Sequence, residues 1–322
     1  MMEILNLRLK KLLYCEIKEG EFLLMSEKPY PLAVRMKEYE FVETEDKFKD
    51  DLPLICRVDG RSFSKFCKRF TKPYDTDMSD FMKRTTKFLL HETKADLAYH
   101  QSDEISLLFK PVIAPSSRMF DGKKIKLNSV IAGMASSYFM REVFSRSIGA
   151  EKSYLYNDAI PHFDCRFFEV PNMVEAGNYF VWRQQDAKRN SISMMAQSIF
   201  SHKELQGKSG TEMLKMISNS KNDYFGMPFN FKYGSFFAKE MVEKVIDGNP
   251  CVRTEIKEYD IETITYELNM KNEYHDKIKD KMKKYKEEGF TSHFTEEQIK
   301  FCSEYEGDIT VGSNSKYGNN ND

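Results

Sequence analysis

The strongest constraint on the fold is the order in which two periodicities alternate between residues 52 and 170. In LPLICRVD, residues 52–59, an extended chain puts Leu54, Cys56 and Val58 on one face and Ile55, Arg57 and Asp59 on the other. Residues 77–93 switch to helical spacing, with Phe81, Met82, Thr85, Phe88 and Leu89 on one side and Asp77 or Ser79 placed to cap the helix. Two short strands follow, 96–100 and 104–110, joined by a tight polar turn around Gln101 and Ser102. Residues 126–144 return to helical spacing through Leu127, Val130, Ile131, Met134, Ala135 and Tyr138, and HFDCRFFEV, 162–170, is again a strand. The order β-α-β-β-α-β is that of a ferredoxin-like split unit. The expected fold class is therefore α+β, an antiparallel sheet with helices. Such a sheet hosts many activities, so function has to be read from particular residues.

Around this centre the chain divides into an N-terminal extension (1–35), a main domain (36–245) opened by Met36, a mostly helical region (246–305) and a disordered tail (306–322) ending in GSNSKYGNNND. Within the main domain, 172–186 and 188–203 read as two helices, the first capped by Asn172. NFKYGSFFAKEMV, 230–242, suggests further strand structure, whereas 255–300 is charged and mostly helical.

Lys and Arg number 49 against 50 Asp and Glu, so any nucleic-acid affinity must come from local clusters rather than a global field. Such clusters exist at Lys65, Lys68, Arg69 and Lys72, at KKIK (123–126) and at KIKDKMKK (277–284), though each alone reads first as a solvated face. KKIK precedes a helix and has the chemistry to meet nucleic-acid phosphate. The six cysteines show no C-x-x-C spacing and no Cys/His cluster, which argues against zinc and for reduced thiols in the cytoplasm, with Cys56 and Cys165 as small core residues. No apolar run approaches the ~20 residues of a membrane span.

The split-unit order has a chemical consequence. Its first strand ends in Asp59-Gly60, and its central hairpin turns at Ser102-Asp103. In this topology that strand lies beside the hairpin, so Asp59 and Asp103 come together on the exposed face. Two carboxylates with an open position between them suit Mg²⁺, and Gly60 lets a backbone carbonyl approach closely because it has no Cβ. A pair of such ions about 3.5–4 Å apart clamps the attacking and leaving oxygens of a phosphoryl or nucleotidyl transfer. Arg57, Arg61 and Lys72 supply cations that a triphosphate requires. A strand-terminal Asp-Gly alone is commonly a turn, and Ser-Asp-Glu alone a turn or cap; it is their combination in this strand order that points to chemistry. His100 and His162, close to strand ends and so within reach of the cleft, read as ordinary hydrogen-bonded residues, Trp182 as core over a base-stacking residue, and ISMMAQSIF (192–200) as a packed helix face over a binding surface.

These segments carry a family resemblance. RVDGRSFSKF (57–66), KPYD (72–75), Ser102-Asp103-Glu104, FDCR (163–166) and WRQQD (182–186) resemble, in order and spacing over about residues 36–245, the tRNA-histidine guanylyltransferases and their 3′-to-5′ RNA polymerase relatives. The resemblance implies a polymerase-palm-like domain that adds nucleotides to the 5′ end of tRNA, with two Mg²⁺ ions, ATP and GTP, and a homotetrameric assembly. It makes Asp59, Asp103 and Glu104 the catalytic carboxylates, with Asp59, Gly60 and Asp103 at the metals. It assigns the nucleotide to Arg57, Gly60, Arg61, Ser62, Phe63, Lys72, Ser102, Lys126, Arg166 and Asn190, the register at Lys126 being open by a residue or so.

One segment departs from the family pattern. Members that guanylylate tRNA-histidine carry His-Ile-Asn-Asn-Leu-Tyr-Asn after Arg-Gln-x-Asp, whereas this chain has KRNSISM at 188–194, keeping only Asn190 and placing Lys188 at the histidine position. This version is similar to bacterial-type relatives associated with template-dependent repair of 5′-truncated tRNAs. A nucleotide cyclase on a palm-like fold and a non-catalytic tRNA-binding protein are the competing readings. Intact Asp59, Asp103 and Glu104 argue against the last. Glu104 stays open: strand alternation turns it away from Asp103, so it either twists back toward a metal or anchors a Lys or Arg.

Overall fold

The structure, a computed structural model, describes residues 31–112, 118–148, 160–246 and 249–260. The KIKDKMKK run and the polar tail lie outside the described residues. The chain forms two compact units, Met1–Glu45 and Asp46–Asp322. Of the first, the described part is helix α1, Leu32–Thr44, which begins ahead of Met36 and buries none of its residues.

The second unit is built on a six-stranded antiparallel sheet in the order β4-β1-β3-β2-β5-β6. Its first four strands are β1 (Leu54–Arg61), β2 (Leu97–Gln101), β3 (Glu104–Phe109) and β4 (His162–Glu169). Their order is that of the expected split unit, and β1 lies between β3 and β4. Ser62, at φ 59°, reverses the chain into the short helix α2, Phe63–Phe66. Helix α3 (Thr76–Glu92) and helix α4 (Lys124–Ser147) cover one face. Leu54, Cys56, Val58, Ile105 and Leu107 pack there against Phe81, Leu89, Ile131 and Phe139. Full burial of each such side chain contributes about 1.5–3 kcal/mol. As expected, Cys56 is buried in this layer; its Sγ lies 3.4 Å from Cys165 Sγ, and both thiols are free.

Helix α5, Met173–Ile199, crosses the other face, where Ile55, Tyr99 and Leu108 meet Ala176, Tyr179 and Phe180. Asn172 caps it as expected, accepting from the amides of Val174 and Glu175 at 3.0 and 2.9 Å. It is one continuous helix where two were expected. Asp186 explains the continuity, pairing one turn back with Arg183 at 2.8 Å and one turn on with Arg189 at 3.0 Å. The α3 cap also differs from expectation: Asp75, rather than Asp77 or Ser79, accepts from the Asp77 and Met78 amides at 2.9 and 3.1 Å.

Beyond α5 come α6 (His202–Leu205), α7 (Gly210–Asn219) and α8 (Phe229–Tyr233), with Ile192, Met195 and Ala196 of α5 buried against Leu205 and Ile217. The 230–242 segment is thus part helix; the strand β5 runs from Ser235 to Ile246. The break falls at Gly234, whose φ of +74° and contact with Tyr99 and the His100 carbonyl leave no room for a Cβ. Residues 249–259, expected in the helical region, form β6, paired along β5. Trp182, expected in the core, is 47% exposed.

Candidate active site

The face of the sheet that α5 crosses also carries the charged residues singled out in the sequence. Arg57 and Asp59 share this face with Ile55. In register, Asp59 stands opposite Glu104 on one side and Asp164 on the other, and Arg57 stands opposite Arg166. Directly opposed residues in an antiparallel pair project from the same face, so charge concentrates at this end of the sheet.

Asp59 and Asp103 come together as β1 and β3 require. The Gly60 amide donates to the Asp103 carbonyl at 3.1 Å, closing the turn against the strand. Ser102, at φ 48°, makes that turn. Burial pushes the Asp103 carboxyl up to about 6, with the Asp59 and Glu104 carboxylates adding to the effect and local hydrogen bonds, including one from Ser102, opposing it. Arg166 lies 3.0 Å from Asp164 and 3.9 Å from Asp59, half-exposed at the mouth of the cluster. The donor set for a metal is two carboxylates and a backbone carbonyl. Among the described residues no group of three or more His, Cys, Asp or Glu side chains gathers around a single point. Hard oxygen donors in so small a number fit Mg²⁺, which keeps several waters.

Glu104 is held differently. It is buried, and Arg183 of α5 donates to both its oxygens, Nε to Oε1 and Nη2 to Oε2, each at 2.7 Å. Arg57 Nε sits 3.0 Å from Oε2 as an ion pair whose angle falls short of a hydrogen bond. Ser106 and Tyr179, joined at 2.9 Å, complete the enclosure. Burial lowers the Arg183 pKa, but Glu104 and then Asp186 more than offset it. Of the two roles left open by the sequence, these contacts match the anchor for a cation.

The remaining candidates divide. Lys72, Ser102 and Asn190 meet at a pocket of about 150 Å³ bounded by α5, α8 and the start of α3. Arg61 is exposed at the end of β1, opposite His162. Phe63 is buried among Phe66, Phe139 and Phe163, so only its backbone is free to meet a nucleotide. That ring also explains Gly60: a Cβ there would stand 2.5 Å from Phe63 Cδ2. Lys126 is not brought to the cluster. It is exposed on α4, which packs on the opposite face and reaches β4 near Phe167, whose amide donates to Asn128 Oδ1 at 3.1 Å.

Sequence reasoning missed Arg183, Asp186 and the pocket residue Asn230, and it read His100 as an ordinary hydrogen-bonded residue, whereas His100 lines the pocket with an unpaired Nδ1. WRQQD carried the signal for the first two, since Arg183 follows Tyr179 by one helical turn and so points at the sheet. Asn230 arrives from a segment far along the chain, and local pattern gives no sign of it.

Paired carboxylates at the end of a palm-like sheet, next to a pocket bordered by Lys72, are the parts that a nucleotidyltransferase requires. Comparison with known proteins narrows the class. The family model described as Thg1, tRNAHis guanylyltransferase, matches residues 33–171. A bacterial tRNA(His) guanylyltransferase (Thg1)-like protein solved in complex with ATP is 32% identical, with a TM-score of 0.61 over 72% of this chain and 92% of that one. One in complex with GTP is 28% identical, with a TM-score of 0.58 over 79% and 98%. The tRNA(His) guanylyltransferase of Debaryomyces hansenii is 27% identical over 63% of this chain and 80% of its own length. An uncharacterized protein of Acanthamoeba polyphaga mimivirus is 26% identical over 72% and 85%. The chain belongs to the Thg1 family of tRNA(His) guanylyltransferases and Thg1-like proteins.

Proposed function

We propose that this protein adds nucleotides in the 3′-to-5′ direction to the 5′ end of tRNA, with Mg²⁺ as cofactor and ATP and GTP among its substrates. The observation that carries the reading is the approach of Asp59 and Asp103 beside Gly60, between Arg166 on one side and the pocket bordered by Lys72, Ser102 and Asn190 on the other. Relatives solved with ATP and with GTP support nucleoside triphosphates as ligands.

The chemistry has two stages. A 5′-monophosphate oxygen of the RNA attacks the α-phosphorus of ATP, pyrophosphate leaves, and the RNA end becomes adenylylated. The 3′-hydroxyl of an incoming nucleotide then loses its proton and attacks the activated 5′-phosphorus, and AMP leaves. An RNA that already ends in a triphosphate enters at the second stage and releases pyrophosphate. Both are in-line displacements at phosphorus, so positioning and charge neutralisation carry them. Two Mg²⁺ ions held by Asp59, Asp103 and the Gly60 carbonyl would supply Lewis-acid neutralisation of phosphate oxygens. Lys72 and Arg166 neutralise triphosphate charge. Glu104, gripped by Arg183 and paired with Arg57, positions the strand that carries the site.

KRNSISM in place of the His-Ile-Asn-Asn-Leu-Tyr-Asn run favours repair of truncated tRNA ends over strict guanylylation of tRNA-histidine. The test is incubation with 5′-truncated tRNAs, with full-length tRNA-histidine, and with free ATP or GTP, in Mg²⁺ and labelled nucleotides. Extension of truncated tRNAs is expected. Extension of tRNA-histidine alone returns the strict guanylyltransferase, a cyclic nucleotide product returns the cyclase, and no product returns the binding protein. Light scattering on the purified protein checks the proposed tetramer.

A further inference from the structure

One polar group at the pocket is left over by the assignments above. His100, on β2, is 3% exposed and lines the pocket, and its Nδ1 has no hydrogen-bond partner. Buried polar atoms are nearly always paired, so an unpaired one beside a cavity calls for a partner from outside the chain. Three neighbouring polar groups, Asp75, Asn230 and Ser191, are already engaged within the protein. Asp75 takes the Asp77, Met78 and Thr71 amides. The Asn230 amide donates to Tyr74 Oη at 3.0 Å and Ser79 Oγ at 2.9 Å. Ser191 Oγ meets Tyr224 Oη at 2.8 Å.

The character of the pocket suits a flat heteroaromatic ring. Phe70, Phe231, Met78 and Met194 give it apolar walls. A volume of about 150 Å³ is one that accepts a benzene ring in other proteins. Lys72 and Ser102 belong to the same lining, so charged phosphates have their own partners. Burial, then Lys83, push the His100 imidazole down to about 4, against Glu258 and the Glu104 backbone. The neutral imidazole gives its one N–H to the Glu104 backbone carbonyl, so Nδ1 is left as an acceptor, which suits an N–H on a nucleobase edge rather than a phosphate oxygen.

We infer that His100 is a specificity-determining residue, its Nδ1 hydrogen-bonding the base of the bound nucleoside triphosphate and so setting which base this pocket prefers. The inference rests on the pocket being the nucleotide site of the proposed function.

Equilibrium binding of ATP, GTP, CTP and UTP to the full chain tests it, with tripolyphosphate as a probe lacking a base. His100→Ala is expected to weaken the preferred nucleotide about five- to thirtyfold, the worth of one hydrogen bond, with tripolyphosphate unchanged. His100→Asn, which restores a polar atom near Nδ1, should recover part of the loss. Should His100→Ala fold poorly, analogues of the preferred base that lack one N–H donor, an exocyclic amino group above all, report the same contact on the wild-type protein: that one group should be worth the same factor. Equal weakening of all four nucleotides, no weakening in a folded variant, or a flat series of donor-deleted analogues would each overturn the role of His100. Ser191→Trp, which fills the pocket, separates the two readings. If it abolishes nucleotide binding while His100→Ala is silent, His100 alone is wrong; if it leaves binding intact, the pocket reading falls and His100 with it.

Discussion

Arg183 holds both oxygens of Glu104, at 2.7 Å each, and so bolts α5 to the first residue of β3. The pair is buried, and Asp59 stands directly opposite Glu104 in the sheet. Removing one partner leaves a buried charge uncompensated, which costs about 3–5 kcal/mol. Glu104→Gln and Arg183→Met should each destabilise the protein by about that much in urea titrations. The double variant should lose less than the sum. Strictly additive losses would mean that the two side chains do not act as a unit.

Both aspartates should be needed for activity, and Asp103 should carry that activity at a cost in stability. Asp59→Asn and Asp103→Asn are expected to lower turnover by at least about 100-fold while tRNA still binds. In metal-free buffer at neutral pH, Asp103→Asn should match or exceed wild-type stability, because burial and Asp59 disfavour the charged carboxylate. Near-normal nucleotide addition by either variant would remove it from the metal site.

Gly60 is fixed by packing as much as by chemistry. Gly60→Ala puts its Cβ 2.5 Å from the Phe63 ring, itself wedged among Phe66, Phe139 and Phe163. A loss of roughly 1–3 kcal/mol is expected from such overpacking. Thermal unfolding of Gly60→Ala alone and with Phe63→Leu measures it; the smaller partner should restore part of the loss.

His100 gives a pH signature in stability. Its folded-state pKa, about 4, is below the unfolded value near 6.5, so the unfolded chain binds the proton first. The stability tied to the neutral ring is present above pH 6.5 and lost as pH falls through about 4, up to roughly 3 kcal/mol in all. His100→Gln should flatten the fall in urea midpoint between pH 6.5 and 4 relative to wild type. Parallel curves would show that His100 titrates normally.

The strand order was readable because β1 through β4 obey a two-residue alternation with a buried layer on each side, and that order alone brought Asp59 to Asp103. What the sequence hid lies where polar residues serve structure. Asp186 and its arginines look like a break between helices but are the pairs that carry α5 through. In β6, VRTEIKEY mixes charge into both faces, so no apolar stripe marks it, and Val252 on that ribbon remains exposed. Asp75 caps α3 from a position ahead of the first apolar helical residues, so the apolar periodicity does not single it out over Asp77 or Ser79. Trp182 is the converse case: its ring packs on Tyr179 and under the Arg183 guanidinium, yet stays half-exposed.

Helix α5 touches both halves of the site, Glu104 through Arg183 and the pocket through Asn190. The two lie seven positions apart, very nearly two full turns, so they share one side of the rod about 10 Å apart. The helix thus acts as a ruler between the acidic cluster and the base cavity, with a graduation set by peptide geometry instead of loop conformation. Inserting a single alanine between Gln184 and Arg189 would lengthen that ruler by only about 1.5 Å but rotate its far mark by about 100°. Both ends would survive as helix, and they would no longer read the same molecule.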